Sequence, residues 1–409
     1  MKLVKMSLAA IVAAGALTSV ASATPLEEAI KNVDVSGFAR YRFDSTKVDA
    51  NGNQGSDTKA SHRFTSYVDF KTALDDNFFA VLGLRYDSKD VSGDHITGGQ
   101  TQVGVNDAGA EDFGQTFNVR QFLLGYKAGN TTIQAGRQVL GTFFTDDMVG
   151  TGIKVLNTDI TGLTLAAVAF DDLQNDPDIG SRGLVVNGSH TYQNNLYGVA
   201  AIGSYDPVSF QLWYAMLENV TDLYAIDVAV NFDATADLNL GLHGQFAGSS
   251  IDSDFKKGTN NLADDATFWA IEAMAKAYGV DFRAGYVDLS ADDKKVSVVS
   301  FEDQGSFIEA GEDLFDTYSF FYGDNHYWFG ALGYTFDKFR VGIDYVNGKI
   351  TKATSNGKVN AYEVVPRVSY AYSKKLKFQA FWSHYQIDEI DGKNDFKNDH
   401  FRFEAKYVF

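Results

Sequence analysis

Cysteine is absent from the 409 residues, proline occurs only four times, and long apolar runs are missing. Without a thiol there is no disulfide framework and no thiolate metal site, which excludes a stapled secreted fold and a zinc finger. Positive charge is also scarce. The 35 Lys and Arg against 53 Asp and Glu give a formal charge of −18, the wrong balance for a nucleic-acid binder. No apolar run after the first 23 residues reaches the roughly 18 to 20 needed for a transmembrane helix, and the longest, Leu163 to Phe170, is interrupted by Thr164. Enzyme signatures are missing too: there is no Gly-x-Ser-x-Gly elbow, no His-Glu-x-x-His and no Walker-type phosphate loop, and Gly150-Thr151-Gly152 followed by Val155 fails the dinucleotide pattern. The chain is not read as an enzyme. What it has in quantity is glycine (38) together with Phe (32) and Tyr (21), a composition too apolar for a disordered polyelectrolyte.

The first 23 residues set the compartment. Lys2 and Lys5 precede the small apolar stretch Leu8 to Leu17, and Ala21-Ser22-Ala23 is a small-x-small cleavage site, so residues 1–23 read as a secretory signal cut before Thr24. Its removal takes away two lysines and no acid, leaving the mature chain more acidic still. Export permits disulfides and this chain uses none, so packing and hydrogen bonding must hold it.

A period of two recurs to the last residue. Phe401, Phe403, Ala405 and Tyr407 alternate with Arg402, Glu404 and Lys406; Phe339, Val341, Ile343 and Tyr345 alternate with Arg340, Gly342, Asp344 and Val346. Val35, Gly37, Ala39, Tyr41 and Phe43 interleave with Ser36, Phe38, Arg40, Arg42 and Asp44, and Phe64, Ser66, Val68 and Phe70 with Arg63, Thr65, Tyr67, Asp69 and Lys71. Two segments, Phe117 to Lys127 and Leu163 to Phe170, give no clear phase. Tight turns are expected at Asp75–Asn77, Ala128–Asn130, Asp159–Gly162, Tyr205–Pro207, Asp233–Asp237, Tyr278–Gly279, Phe336–Lys338 and Ser373–Lys375. Polar connections alternate with them: Ser45–Ser61, Ser88–Gln115, Leu140–Gly150, Asp171–Asn195, Gly248–Asp265, Asp288–Asn325, Gly348–Val359 and Ile387–Asp399, with a short one near Asn219.

These connections imply about 18 strands with both termini at the short-turn end, the layout of a transmembrane antiparallel β-barrel. The expected architecture is therefore all-β: a single outer-membrane barrel domain over residues 24–409, with strands of about 9 to 11 residues, short periplasmic turns and long extracellular loops. Pro366 is the one proline expected inside a strand. A soluble β-sandwich or propeller would need a repeat of about 40 residues, and none is present.

Inward strand positions carry Arg40, Arg42, Arg63, Arg85, Arg283 and Arg340, with Lys71, Arg367 and Arg402, while the loops concentrate acid at Asp146-Asp147, Asp171-Asp172, Asp176-Pro177-Asp178, Glu302-Asp303 and Glu312-Asp313. A basic wall facing acidic loops would set a transverse field across a water-filled eyelet, screening solutes by charge and dipole. Asp146, Asp147, Glu302, Asp303 and Asp176 are the constriction candidates. Of these, Asp146, Asp176 and Glu302 could supply carboxylate oxygens to a Ca²⁺ ion, assembled across loops because no segment has EF-hand spacing. No other cofactor is called for. Among the histidines, His243 falls on an inward face beside Asn239 and Gln245 and reads as a hydrogen-bonded wall residue. Phe38, Tyr67 and Phe381 are candidate inward aromatics.

Several segments resemble a known family. Thr24 to Ile30, Val33 to Gly37 leading into Arg40-Tyr-Arg42, Val149-Gly-Thr-Gly-Ile-Lys-Val155, Gly162 to Ala167, Asn195 to Gly198, Gly203 to Asp206, Glu302-Asp-Gln-Gly305 and the closing Tyr407-Val-Phe409 are similar to the major outer-membrane porin of Campylobacter and its relatives. The resemblance covers the whole chain, more closely in strands and turns than in loops. It implies an 18-stranded homotrimeric porin, cation-favouring, narrowed by acidic in-folded loops with Ca²⁺ near the constriction. It carries the acidic constriction positions onto Asp146 and Glu302, and less directly onto Asp176. The stretch between Arg137 and Asp146 is shorter than the family pattern. Function is expected to be passive diffusion of cations and small hydrophilic solutes across the outer membrane, with contact to its lipid and none to nucleic acid. A substrate-specific channel, or a barrel acting mainly as a surface adhesin or antigen, is the alternative.

Overall fold

The structure, a computed structural model, describes residues 33–49, 58–88, 117–174, 179, 185–186, 189–291, 295–299, 306–314, 321–352, 357–388 and 395–409. Among these residues the strands are β1 (Asp34–Asp49), β2 (Thr58–Ala73), β3 (Phe78–Asp87), β4 (Phe117–Ala128), β5 (Thr131–Val139), β6 (Val149–Asn157) and β7 (Leu163–Asp171). A two-by-two hairpin of β8 (Val185–Val186) and β9 (Ser189–His190) precedes β10 (Leu196–Tyr205), β11 (Val208–Leu217), β12 (Thr221–Thr235), β13 (Leu238–Ile251), β14 (Ala266–Ala277) and β15 (Val280–Ala291). Last come β16 (Asp324–Phe336), β17 (Phe339–Lys352), β18 (Gly357–Ala371), β19 (Leu376–Ile387) and β20 (Phe396–Val408). Apart from the hairpin, they form one 18-stranded sheet in which every neighbour is antiparallel. The sheet closes because β20 pairs with β1 from Phe38↔Val408 to Asp49↔Lys397, and Gly37 and Phe409 exchange backbone hydrogen bonds of 3.2 and 3.1 Å. Closure leaves no edge, so the backbone groups of every strand are paired within the sheet, as lipid demands. No helix of the described residues is long and apolar enough to cross a membrane; α1 (Ser253–Gly258) is a single capped turn in the β13–β14 connection.

The eight expected tight turns all lie at one end of the barrel. Tyr278 and Gly279, both at positive φ (50° and 84°), make the two-residue primed turn whose twist matches its flanking strands. At the β2–β3 turn the Asp75 carboxylate accepts the amides of Asn77 (2.8 Å) and Phe78 (2.7 Å), which holds that carboxyl below its ordinary pKa. At the opposite end the strands outrun expectation: β1 extends to Asp49 and β2 begins at Thr58, β17 and β18 run to Lys352 and from Gly357, and β20 starts at Phe396. These extensions pair polar residues, Thr46 with Lys59 and Lys47 with Thr58. Beyond the hydrocarbon layer a ladder needs no apolar outer row, so the compositional signal of a strand disappears while its hydrogen bonds continue.

Side chains alternate across the wall. Tyr41, Phe64, Leu212, Ile226, Leu332 and Ile343 stand exposed on the outer face, and their neighbours point inward. The two segments without a readable phase have distinct explanations. In β4 a register shift opposite Gly83/Leu84 lets both Arg120 and Gln121 face inward, so the outer row steps from Val119 to Phe122 before resuming at Leu124 and Tyr126. In β7 both faces are apolar: Leu165 is exposed, whereas Ala166, Val168 and Phe170 are buried inside the barrel.

That inner apolar face belongs to a larger sector. From β6 through β16 the inward residues include Leu156, Ile202, Trp213, Leu223, Phe268 and Leu289, all buried and packed in one cluster with residues of the long connections. The β5–β6 connection contributes Leu140, Phe143, Phe144 and Met148; the β15–β16 connection contributes Phe307, Ile308, Ala310 and Leu314. Half of the lumen is thus filled by loops lying on an apolar inner wall. The inward face from β17 through β20 and on to β4 is more polar, carrying Asp344, Arg367, Arg402, Glu404, Arg42 and Arg63, although Val346 of β17, Val359 and Ala361 of β18 and Ile387 of β19 still join the cluster.

Candidate channel constriction

Two loop segments border this polar half of the lumen. The first, residues 140–148, is cinched by Leu140 N–H to Met148 O (2.9 Å) and by the paired hydroxyls of Thr142 and Thr145 (3.0 Å). The second, residues 306–314, meets it where Ser306 N–H donates to Phe143 O (3.2 Å) and the Phe307 ring sits edge-on to Phe143 (5.0 Å) and to Phe268 of the wall (4.9 Å). Wall side chains grip the second segment at both ends. Gln245 donates to Ser306 O (2.6 Å) and accepts from Ile308 N–H (2.7 Å). Farther along, the buried Glu363 carboxylate accepts the consecutive amides of Glu312 (3.0 Å), Asp313 (2.9 Å) and Leu314 (3.2 Å), and the Ser383 hydroxyl (2.7 Å). Three convergent amides form an anion-holding nest, and here the anion is the barrel's own. Gly311, at φ +83°, allows the approach: a Cβ there would lie 2.2 Å from Glu363 Oε2.

The loops bring acid to the polar wall. Asp147 accepts from the Tyr67 hydroxyl (2.7 Å) and lies 3.7 Å from Arg120, which also donates to its carbonyl (3.2 Å). Asp146, beside it on the same segment, is exposed. Glu312 accepts from Arg367 (2.6 Å), and Asp313 contacts His400 (2.7 Å). Of the acidic positions expected at the constriction, Asp146 and Asp147 are placed on the first segment, while Asp176, Glu302 and Asp303 lie outside the described residues. Asp146 is therefore the one described member of the carboxylate set suited to Ca²⁺, and no group of three or more His, Asp or Glu is placed for a metal among the described residues.

The six arginines expected on the inner wall are all inward, but the wall is not simply basic. Arg42 donates twice to Glu404 (3.1 and 2.9 Å), and Arg40 Nε lies 3.8 Å from the same carboxylate. Arg63 and Arg85 share Asp87, Arg283 pairs with Glu272 (3.3 Å), and Arg340 with Asp281 (2.5 Å). Arg367 and Arg402 find Asp344 and Asp44, each at 2.5 Å. Strand register makes most of these pairs, between residues facing the same way on adjacent strands, opposite or two apart. Arg85 and Asp87 sit two apart on β3, and Arg340 of β17 reaches Asp281 of β15 over Gly333 of the intervening β16. His243 is likewise a wall residue, held between Asp227 (2.7 Å) and Glu272 (3.3 Å). The inner wall is a mosaic of compensated charges, whereas alternation read from one strand at a time showed a column of arginines.

Some inward cations make no ion pair among the described residues: the buried Lys154 of β6 donates to Val139 O (2.7 Å), and Lys377 and Lys406 stand beside the Glu404-paired Arg40. Lys377, Lys406 and Arg40 are direct cross-strand partners on β19, β20 and β1, three positive side chains abreast. Beside them Phe38 and Tyr67 pair at 4.7 Å, with Lys406 (4.6 Å) and Arg40 (5.5 Å) over the Phe38 ring and Arg120 (4.4 Å) over Tyr67. Phe381, the third expected inward aromatic, is buried under Arg402 (5.4 Å) and against His400 (5.2 Å).

Solved structures share this architecture. Acinetobacter baumannii OccAB3 matches with a TM-score of 0.67 at 11% identity, covering 92% of this chain and 99% of that one. Pseudomonas aeruginosa OccK8 (OprE) matches at 0.66 and 14% identity, covering 92% and 98%, and Pseudomonas aeruginosa OprD at 0.62 and 13%, covering 92% and 95%. At such identities they share the fold. No curated protein matches the sequence. The model of the Campylobacter major outer membrane protein family matches residues 1–409, the whole chain. A closed 18-stranded barrel, loops folded into its lumen and this full-length match identify an outer-membrane porin belonging to the Campylobacter major outer membrane protein family.

Proposed function

We propose that this porin forms a water-filled, cation-favouring channel for passive diffusion of ions and small hydrophilic solutes, three such channels to an assembly as the family resemblance implies. The observation that carries the reading is where charge is and is not cancelled. The inward arginines are matched by carboxylates on neighbouring strands or loops, so most of the positive charge facing the lumen is compensated. Toward the long-loop end Asp49, Asp171, Asp252 and Asp265 are exposed and make no ion pair among the described residues, whereas Asp172 and Asp254 pair with Arg137 and Lys257. A negative mouth on a low-dielectric wall raises the local cation concentration and repels anions over distances set by ionic strength. Under a KCl gradient across a planar bilayer, the reversal potential is expected to show cation preference that weakens as salt rises. Anion preference would overturn the selectivity, and absence of step conductance would overturn the channel.

The oxygen-only set Asp146, Asp176 and Glu302 belongs to the same proposal. Carboxylates without thiol or imidazole suit a hard cation, and a Ca²⁺ ion there would cross-link loops at the constriction. Titration calorimetry of the folded protein should record Ca²⁺ uptake that the Asp146→Asn, Glu302→Gln double variant loses. Equal heats from both proteins would remove the ion from this site.

A further inference from the structure

Lysine is unevenly spread over the tight-turn rim of the barrel. Six of the eight turns carry acid or no charge, with Asp75, Asp76, Asp159, Asp206, Asp233 and Asp237, and lysine occurs in the other two alone, as Lys338 and the Lys374-Lys375 pair. These two turns are neighbours because β17 pairs with β18: Ala371 N–H donates to Lys338 O (2.9 Å), and Lys338 Nζ reaches Tyr372 O (3.3 Å). The Ser373 hydroxyl oxygen takes the amides of Lys375 (3.2 Å) and Leu376 (3.0 Å) and so closes the second turn. All three lysines are exposed, Asp337 is the one acid on the two turns, and none of the three forms an ion pair among the described residues.

On the lipid side of these turns the outer face is aromatic. Tyr334, Phe336, Phe339, Tyr370 and Tyr372 form a chain of rings from β16 to the end of β18, with successive centroids 6.0, 5.6, 4.5 and 6.4 Å apart. Phe339 and Tyr370 are direct cross-strand partners, and Tyr370 is in turn opposite Phe378 of β19. Rings on the outer face at the end of a barrel lie where hydrocarbon meets head groups, and a lysine stem runs along that boundary while its ammonium stays in water. A molecule with a phosphate at one end and acyl chains at the other matches this order of charge and ring.

We propose that the Lys338–Lys374–Lys375 rim and the ring chain beside it bind an anionic phospholipid, the phosphodiester on the lysines and the chains along Phe336, Phe339 and Tyr370. A zwitterionic lipid brings its own cation toward the lysines and gains less, and a free phosphate has nothing to place on the rings. Acids on the other turns repel an anionic head group, which makes the site local. The proposal is independent of the channel's selectivity and requires only that the outer face stand in lipid.

Native mass spectrometry of the folded protein, released from detergent after incubation with one lipid at a time, provides the test. Phosphatidylglycerol should be held about tenfold more tightly than phosphatidylcholine or phosphatidylethanolamine, which corresponds to about 1.4 kcal/mol. Lys338→Gln, Lys374→Gln and Lys375→Gln combined should abolish that preference, and Lys374→Glu alone, at an exposed turn position, should already lower it. The combination of Lys47→Gln, Lys349→Gln and Lys397→Gln removes the same charge from exposed positions at the opposite end and should leave the preference intact. Glycerol 3-phosphate, which has no acyl chains, should not displace the lipid at equal concentration. Equal loss in both triple variants would reduce the effect to net charge, a preference kept by the rim variants would place the lipid elsewhere, and displacement by glycerol 3-phosphate would make this a site for free phosphate; each result overturns the proposal.

Discussion

Replacing Glu363 with Gln is expected to widen the channel. The carboxylate accepts three consecutive loop amides and the Ser383 hydroxyl while fully buried. A carboxamide of nearly the same shape has one acceptor oxygen, and its NH₂ would face N–H groups, so at least one amide of residues 312–314 loses its partner in a dry site. A hydrogen bond to a charged group contributes about 1.5–3 kcal/mol and an orphaned buried donor costs about 1–3 kcal/mol, so the seat of the loop should weaken by on the order of 3 kcal/mol. The seated population then drops about a hundredfold relative to the open one. Because the barrel wall is complete without the loop, the loss should appear as larger, noisier conductance steps and faster entry of bulky sugars, while resistance of the barrel to cold detergent stays unchanged. Gly311→Ala should act in the same direction from the loop side, since its Cβ would meet Glu363 Oε2 at 2.2 Å. Unaltered unitary conductance in both variants, in barrels that fold, would show that residues 306–314 do not narrow the pore.

Glu363 was not legible as a seat. In the sequence it is one carboxylate on an inward row with Val359, Ala361 and Val365, a row that looks like a lipid-facing one until the loop covering it is known. The same effect hid the phase of Leu163 to Phe170. Alternation reads as apolar-out and polar-in only where the lumen is wet, and packing of Leu140, Phe143 and Met148 on the inside of β6 and β7 removes the contrast. The tight turns were legible because their chemistry is local: Asp75 needs only its own next residues to cap, and Tyr278-Gly279 only two positive φ values. The inward arginines were legible by parity alone. Their neutralisation was not, because whether Arg340 meets Asp281, 59 residues away, depends on register between strands. The Lys377–Lys406–Arg40 row stayed invisible for that reason: its members are far apart in sequence and adjacent only after β19, β20 and β1 are zipped together.

The assignment of faces itself predicts a sharp contrast between neighbouring positions of β17. Ile343 is 47% exposed on the outer face, paired across strands with Leu332 and Pro366, four residues or about 13 Å along the strand from its tight turn. Arg340, three positions earlier, points inward to Asp281, and both side chains of that pair are about one-third exposed. If the outer face stands in hydrocarbon, Ile343→Arg must place a guanidinium near the interior of the bilayer, at a cost of about 2–4 kcal/mol toward the midplane. Arg340→Gln breaks a partly wet ion pair, which is worth roughly 0–1 kcal/mol. Urea-driven folding into lipid vesicles should therefore separate the two variants by about 1–4 kcal/mol, although the Arg340 change is the one that removes an ion pair and the Ile343 change removes none. A soluble sheet would give the opposite order, since an exposed Ile on a water-facing strand tolerates arginine while a lost ion pair still costs something. Equal stabilities, or greater loss from Arg340→Gln, would mean that the exposed apolar rows on β1, β11, β12, β16 and β17 do not face lipid, and the closed barrel would need another solvent to explain them.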